Sequence, residues 1–368
     1  MMGTVAAAGP RQGLHPVITA RPHPEPVPTP TQRIGIVKLS AFGDVVHALP
    51  VARALRRAFP GAHVSWMVEA RESGILTGHP DLDAVIPVDS RRWRRLIGRP
   101  RGARQALGEL DGLRARLRAA RFDVALDLQG LIKSGVLTAL TRAPVRIGFC
   151  RARCRESLSA LFTNRHVTPP PTAVHVVEQY LALLEPLGIT GVRPEFHVPV
   201  DPAAERRADE FARAHGIARG RRLVALNPGT ARQSKRWPAS HFRAVAERLA
   251  SEADARMLLL WGPDEASLAR EIASGLSVPP LLAPPTDLRE LASLLRRCAL
   301  MISGDTGPLH LAAAVGTPCL GLFGPTRAER NGPYGAHCRV LQSGDGTMAA
   351  LEPGPVVSAA RELLGPDR

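Results

Sequence analysis

The sequence predicts an α/β protein made of two doubly wound parallel-sheet domains of similar size. Three observations lead to this. Short aliphatic and β-branched runs alternate with longer amphipathic ones from Arg33 onward, as strands covered on both faces by helices require. The alternation stops at 188–202, which holds Gly188, Gly191, Pro194, Pro199 and Pro202, and then starts again. A chain of 368 residues, 45% of them hydrophobic, is long enough to bury two cores of ordinary size.

Taken in order, residues 1–31 read as a disordered leader. An Ala-rich run there is too short for the apolar region of an export signal, and seven prolines between Pro10 and Pro30 prevent a helix. The first domain, 32–190, has strands at 34–38, 63–68, 84–88, 124–128 and 145–148, with helices near 45–58, 103–120 and 132–140. An amphipathic stretch at 174–187 closes it. Residues 191–202 form a linker. In the second domain, 203–350, Asp201 caps a helix to about 215, and strands follow at 223–227, 257–261, 299–303 and 319–323. Helices lie after Pro238, near 265–274 and from about Pro308, and residues 351–368 are a terminal helix or tail. No short period repeats, which excludes a solenoid.

Charge narrows the partner. Lys+Arg 48 against Asp+Glu 33 gives a formal charge of +15, which attracts an acidic partner without naming it. An Arg-rich proteome accounts for the same number. No apolar run approaches the ~18 residues of a spanning helix. Five scattered cysteines, an odd count, do not form a disulfide framework, and a reduced cytoplasmic protein fits. Cys150 and Cys154 lie four apart, but no second Cys/His pair accompanies them, so no metal site is expected.

Three strand ends carry the candidate chemistry. After the first strand comes Lys38-Leu39-Ser40-Ala41-Phe42-Gly43-Asp44, in which Gly43 permits a tight turn and Asp44 stands at the mouth of a helix. Asp44 there serves as a helix cap or as a functional carboxylate. No GxGxxG follows the strand, so hydride transfer loses its main support. After the linker, Asn227-Pro228-Gly229-Thr230 and Ser234-Lys235-Arg236-Trp237-Pro238 join a small-residue turn to a Lys–Arg pair. That combination suits phosphate oxygens, and a solvated basic loop is its plain alternative. In Ser303-Gly304-Asp305-Thr306-Gly307-Pro308-Leu309-His310, a strand runs through a small-residue turn into a helix whose first N–H groups are free, an anion site. With Gly321-Leu322-Phe323-Gly324-Pro325-Thr326 in the same half, it points to a nucleotide diphosphate.

KLSAFGDVVHALP, LDLQGLIKSG, NPG followed by SKRWP, and SGDTGPLHLAAAVGTPCLGLFGPT occur in this order over roughly 33–345. Together they resemble the bacterial lipopolysaccharide heptosyltransferases, glycosyltransferase family 9. RRWRR and QGLIKSG are most similar to the members that add the first heptose. The resemblance implies the two-domain GT-B fold and an inverting transfer of heptose from ADP-heptose to the Kdo region of the lipid A core, with no obligatory metal or other cofactor. It implies that Asp44 is the general base. It assigns donor contacts to Lys235, Glu265, Asp305, Thr306, Gly307 and His310, with a one-residue gap needed at Glu265. A buried structural role is the alternative for His310.

The acceptor it implies is a phosphorylated glycolipid, Kdo-lipid A, at the cytoplasmic face of the inner membrane. Residues 91–121 hold eleven arginines against Glu109 and Asp111. Arg91, Arg92, Arg94 and Arg95 around Trp93 suit anionic headgroups with an aromatic at the interface, whereas Arg114, Arg116 and Arg118 read as a solvated helix face. Arg155 matches a family arginine near the acceptor sugar. The nearest alternatives are heptosyltransferase II or a later core enzyme, and then a nucleotide-sugar epimerase of similar shape. A nucleic-acid partner is not expected, because aromatics are only 4% and no stacking platform is apparent.

Overall fold

Residues 32–98, 100, 102–217, 222–262 and 264–365 are described by a computed structural model; the expected leader lies outside them. The first domain runs β1 (Arg33–Val37), α1 (Phe42–Ala58), β2 (His63–Glu69), β3 (Ala84–Val88), α2 (Ser90–Ile97) and α3 (Gly102–Ala119). It continues through β4 (Val124–Asp127), α4 (Ile132–Leu140), β5 (Val145–Phe149), β6 (Arg165–Val167) and α5 (Val176–Ala182). Every pairing is parallel, in the order β3-β2-β1-β4-β5-β6. Fully buried Ile34, Ile36, Val64, Val124 and Leu126 show why these strands read as continuous apolar runs.

Residues 189–201 carry no helix or strand. Asp201 then caps α6 (Pro202–Ala214), accepting from Ala203 N at 2.8 Å and Ala204 N at 3.3 Å. The second domain continues with β7 (Arg222–Asn227), α7 (Ala239–Glu252), β8 (Ala255–Leu259), α8 (Ala266–Ala273), β9 (Leu281–Leu282) and α9 (Leu288–Leu295). It ends with β10 (Leu300–Gly304), α10 (Gly307–Ala314), β11 (Cys319–Phe323), α11 (Ala328–Asn331), β12 (Cys338–Gln342) and α12 (Pro353–Leu364). Its parallel sheet has the order β12-β11-β10-β7-β8-β9, the same winding as the first. The terminal helix α12 lays Val356, Val357 and Ala360 into the core of this domain.

Differences from the sequence reading have local causes. α2 carries four arginines in eight residues, which hides its period, and Asp89 starts it by accepting from Arg92 N at 2.9 Å. The stretch 174–187 divides into α5 and a 3-10 turn, Glu185–Leu187, where Pro186 lacks the N–H a continuing helix needs. β8 ends at Leu259, two residues earlier than the apolar run implied, and beyond it Trp261 donates its ring N–H to Ala283 O at 2.8 Å. The two-residue β9 is too short to leave a pattern.

Candidate active site

In each sheet the strand order reverses between two neighbours: β1 and β4 in the first, β7 and β10 in the second. The crevice outside the carboxyl ends at such a point is where open α/β sheets bind ligands. All three motif turns follow one of these four strands, which leave the chain at Lys38, Leu128, Pro228 and Asp305.

On the first-domain side, Asp127 at the end of β4 accepts from Gln129 N (2.9 Å), Gly130 N (3.1 Å), Ser134 Oγ (3.1 Å) and Ser159 Oγ (3.2 Å). Burial raises its pKa against those bonds. The turn it fixes aims Gln129, whose Oε1 accepts from Leu39 N at 2.7 Å and Ser40 N at 3.4 Å. Gln129 thereby holds the loop that leads to Asp44. The N-cap of α1 is Ala41, so Asp44 is not the cap: it stands in the first turn, and its Oδ2 accepts from Ala41 N at 3.3 Å. Its side chain stays 29% exposed, open to a substrate, and lies 3.9 Å from the ammonium of Lys38.

Lys38 is fully buried and donates to Tyr180 OH at 2.7 Å. Burial lowers its pKa, while Asp44 and Asp127 oppose that shift. A cation kept in such a place costs stability, so its retention points to work on the neighbouring carboxylate. Lys38→Met should therefore melt at or above the wild-type temperature yet turn over at least ~10-fold more slowly, as expected when a fixed charge leaves a reaction centre. Thermal melts beside steady-state rates check both halves, and a variant that loses stability while keeping its rate would make Lys38 a fold residue.

On the second-domain side, Asn227 at the end of β7 ties the two turns together, donating from Nδ2 to Ser303 Oγ at 3.1 Å and Thr306 Oγ1 at 3.0 Å. Thr306 is the N-cap of α10, and Gly307 begins the helix. Lys235, in a 3-10 turn, donates to Asp305 Oδ2 at 2.6 Å, and His310 Nε2 meets Asp305 Oδ1 at 3.1 Å. Burial works against the Asp305 carboxylate, but His310 and Lys235 together hold its pKa far below the usual range. Glu265 caps this side of the cleft. Its Oε2 accepts from Gly262 N at 2.9 Å, and its carboxylate covers Gly229, where any side chain would collide with it.

The two sides meet directly. Phe42 packs where a side chain at Gly307 would stand, and a Cβ on Gly43 would lie 2.6 Å from the His310 ring. Both glycines therefore permit the two domains to touch, a role their sequence context did not reveal. His47 completes the junction, its ring 4.2 Å from that of His310 and 5.2 Å from that of His175. Burial, then His310 and His175, push the pKa of His47 well below its ordinary value, so it is neutral. His175 Nε2 and Gly332 O, 3.0 Å apart, add a hydrogen bond between the domains. His310 is accordingly buried, holding Asp305 and packing the junction.

The basic residues line the same edge at its two flanks. α2 follows β3, with Arg91, Arg92, Arg94 and Arg95 exposed. Trp93 corrects the expectation of an aromatic facing the interface: it packs against the core of the first domain, with its ring N–H on Glu109 at 3.1 Å. Arg92 pairs with the same carboxylate at 3.0 Å. Arg155 follows β5, exposed, with its backbone N 3.4 Å from where a Cβ on Gly130 would stand. Lys38, Gln129, His47 and Phe42 were missed as site residues although all four lie inside the motifs quoted above; their polar or aromatic character at a strand end was the available signal. Tyr180 and His175 carry no sequence signal of this kind.

Comparison with known proteins adds a family. The model of glycosyltransferase family 9 (heptosyltransferase) matches residues 111–354. Lipopolysaccharide heptosyltransferase 1 of Pseudomonas aeruginosa is 34% identical over 315 residues, 82% of this chain and 81% of that protein. The E. coli heptosyltransferase WaaC, solved with ADP, superposes with a TM-score of 0.75 at 29% identity, covering 90% of this chain and 100% of that one. With ADP-2-deoxy-2-fluoro heptose, WaaC gives a TM-score of 0.73 at 29% identity, over 90% of this chain and 99% of that one.

Proposed function

The chain belongs to glycosyltransferase family 9, and we propose that within it the protein transfers L-glycero-D-manno-heptose from ADP-heptose to the Kdo region of the lipid A core, inverting the anomeric centre. It is a glycosyltransferase of the heptosyltransferase kind, with two Rossmann-like domains in the GT-B arrangement. The observation that carries the reading is the junction itself: the start of α1, with the accessible carboxylate Asp44, packs on the start of α10, beside the Lys235–Asp305 pair. That is the disposition an inverting transfer needs, with base and leaving group on opposite faces of the sugar carbon.

Asp44 takes the proton of the acceptor hydroxyl as its oxygen bonds to the anomeric carbon and the carbon–phosphate oxygen bond breaks. ADP leaves with the electron pair of that bond. Lys235, together with the free N–H groups at the start of α10, balances the charge it gains, so no metal is required for that role. In this reading Thr306 and Gly307 supply those N–H groups and Glu265 holds the ribose. Arg155 and the arginines of α2 face the acceptor. No helix of the described residues is long and apolar enough to cross a membrane; the reaction is assigned to the cytoplasmic face of the inner membrane.

The test is release of ADP from ADP-heptose in the presence of Kdo-lipid A, against acceptors already carrying one heptose and against UDP- and GDP-sugars. ADP release that needs no acceptor, or preference for the heptosylated acceptor, would replace the reading by an epimerase or by a later core transferase respectively. Neutralising Arg91 and Arg94 should raise the apparent acceptor KM, leave donor affinity alone and flatten the salt dependence of acceptor use. Exposed phosphate–Arg attractions fade over a Debye length of ~8 Å at physiological ionic strength, whereas an enclosed diphosphate is screened less. Equal loss of donor and acceptor binding would remove α2 from the acceptor surface.

A further inference from the structure

α4 and the 3-10 turn Ser157–Phe162 stand side by side at the β4–β5 flank of the acceptor mouth. A Cβ on Gly135 would come 2.7 Å from the Phe162 ring and 3.1 Å from Ser159 O, and Ile132 N donates to Glu156 Oε2 at 2.6 Å. Both elements turn apolar side chains to the outside. Ile132 (39% exposed) and Val136 (38%) lie one helical turn apart on the same face of α4. Leu158 (50%) and Leu161 (75%) are three apart in a 3-10 turn, where such positions eclipse. Single exposed hydrophobics are ordinary, but four on two adjoining elements make a patch.

The surroundings of the patch are cationic. Lys133, beside Ile132 on α4, is partly exposed and pairs with the buried Glu69 carboxylate at 3.5 Å, so most of the positive charge comes from Arg151, Arg153 and Arg155, exposed in the loop that enters the 3-10 turn. That loop rests on Gly130, next to Gln129, which fixes the Asp44 loop. Apolar tips framed by cations at the mouth of a site match the layered chemistry of a lipid surface, anionic headgroups over an apolar interior. A second copy of the chain fits worse, since a twofold contact through this patch would set its own arginines against each other.

We propose that Ile132, Val136, Leu158 and Leu161, framed by Lys133, Arg151, Arg153 and Arg155, dock the protein on an anionic lipid bilayer beside the acceptor mouth. This rests on the reading that the acceptor is a glycolipid. The patch then holds the crevice at headgroup level, so that the acceptor sugar reaches Asp44 while its acyl chains stay in the leaflet. The α2 arginines and Arg155 meet the acceptor from the two flanks, and the apolar tips with Arg151 and Arg153 hold the bulk of the lipid around it through shallow insertion.

The test pellets the full chain with sucrose-loaded vesicles of phosphatidylcholine alone or mixed with phosphatidylglycerol, with no donor or acceptor present. Wild type should bind the anionic vesicles and not the neutral ones. Leu158→Ser with Leu161→Ser should weaken that binding at least ~10-fold, following the loss of buried apolar area, and keep its thermal melt and its turnover of a deacylated, water-soluble acceptor. Arg151→Ala with Arg153→Ala should weaken it mainly at low salt. Equal vesicle binding by wild type and the double serine variant would overturn the proposal. So would sedimentation equilibrium showing that wild type self-associates and the serine variant does not, which would give the patch to a second copy. Vesicle binding is read without chemistry, so a failure of heptose transfer would sink the functional reading and leave this result standing.

Discussion

Asp44→Asn should fold, bind ADP-heptose with near-normal affinity and lose at least ~10²-fold in turnover, the scale on which a positioned general base acts. Its amide oxygen still accepts from Ala41 N, so the contact at the start of α1 survives. Losing a negative charge in the first helical turn costs roughly 0.3–1 kcal/mol, and the buried Lys38 ammonium 3.9 Å away loses one counter-charge but keeps Tyr180 OH and the field of Asp127, so the domain should be weakened without unfolding. Donor affinity should persist because Lys235, Glu265 and Asp305 stand in the second domain. Isothermal titration with ADP-heptose or ADP, beside steady-state rates, separates binding from chemistry. Near-normal turnover in a well-folded variant would leave Asp44 with the helix start alone.

Nine strands were legible because buried strands leave continuous aliphatic runs, such as those at 34–38 and 319–323, whereas β6, β9 and β12 are short or half-exposed edge strands that leave no such run. The turns after β1, β7 and β10 were legible for a related reason: small residues, a carboxylate or a cation at a strand end are conspicuous against apolar flanks. What sequence could not show was where a side chain from one domain meets the other. Gly43 read as a tight turn and Gly307 as a donor contact, yet each also makes space for a side chain of the other domain, His310 and Phe42, more than 260 residues apart in sequence. Tyr180 and His175 reach the site from α5, whose amphipathic pattern is accounted for by packing alone. Trp93 failed in the opposite direction, because flanking arginines drew attention to a ring that its helix turns inward.

Lys235→Ala should slow transfer by ~10²-fold or more and also weaken donor binding, and the pairing seen at its ammonium decides why. Removing one fixed donor from a developing oxyanion costs about 10²–10³ in rate in comparable sites. Here the loss has a second source. Lys235 and His310 are the two groups that hold the Asp305 carboxylate, which is only 12% exposed. Without the lysine, that carboxylate faces an incoming diphosphate with His310 alone beside it, and like charges at such range repel strongly. Lys235→Ala combined with Asp305→Asn removes the repulsion along with the counter-charge. The double variant should therefore bind ADP more tightly than Lys235→Ala alone while its turnover stays low, a coupling that a double-mutant cycle on ADP affinity measures directly. Additive losses would mean that each residue contacts the donor independently. Unchanged donor affinity and unchanged rate in Lys235→Ala itself would take the lysine out of the site, and with it the charge balance proposed for departing ADP.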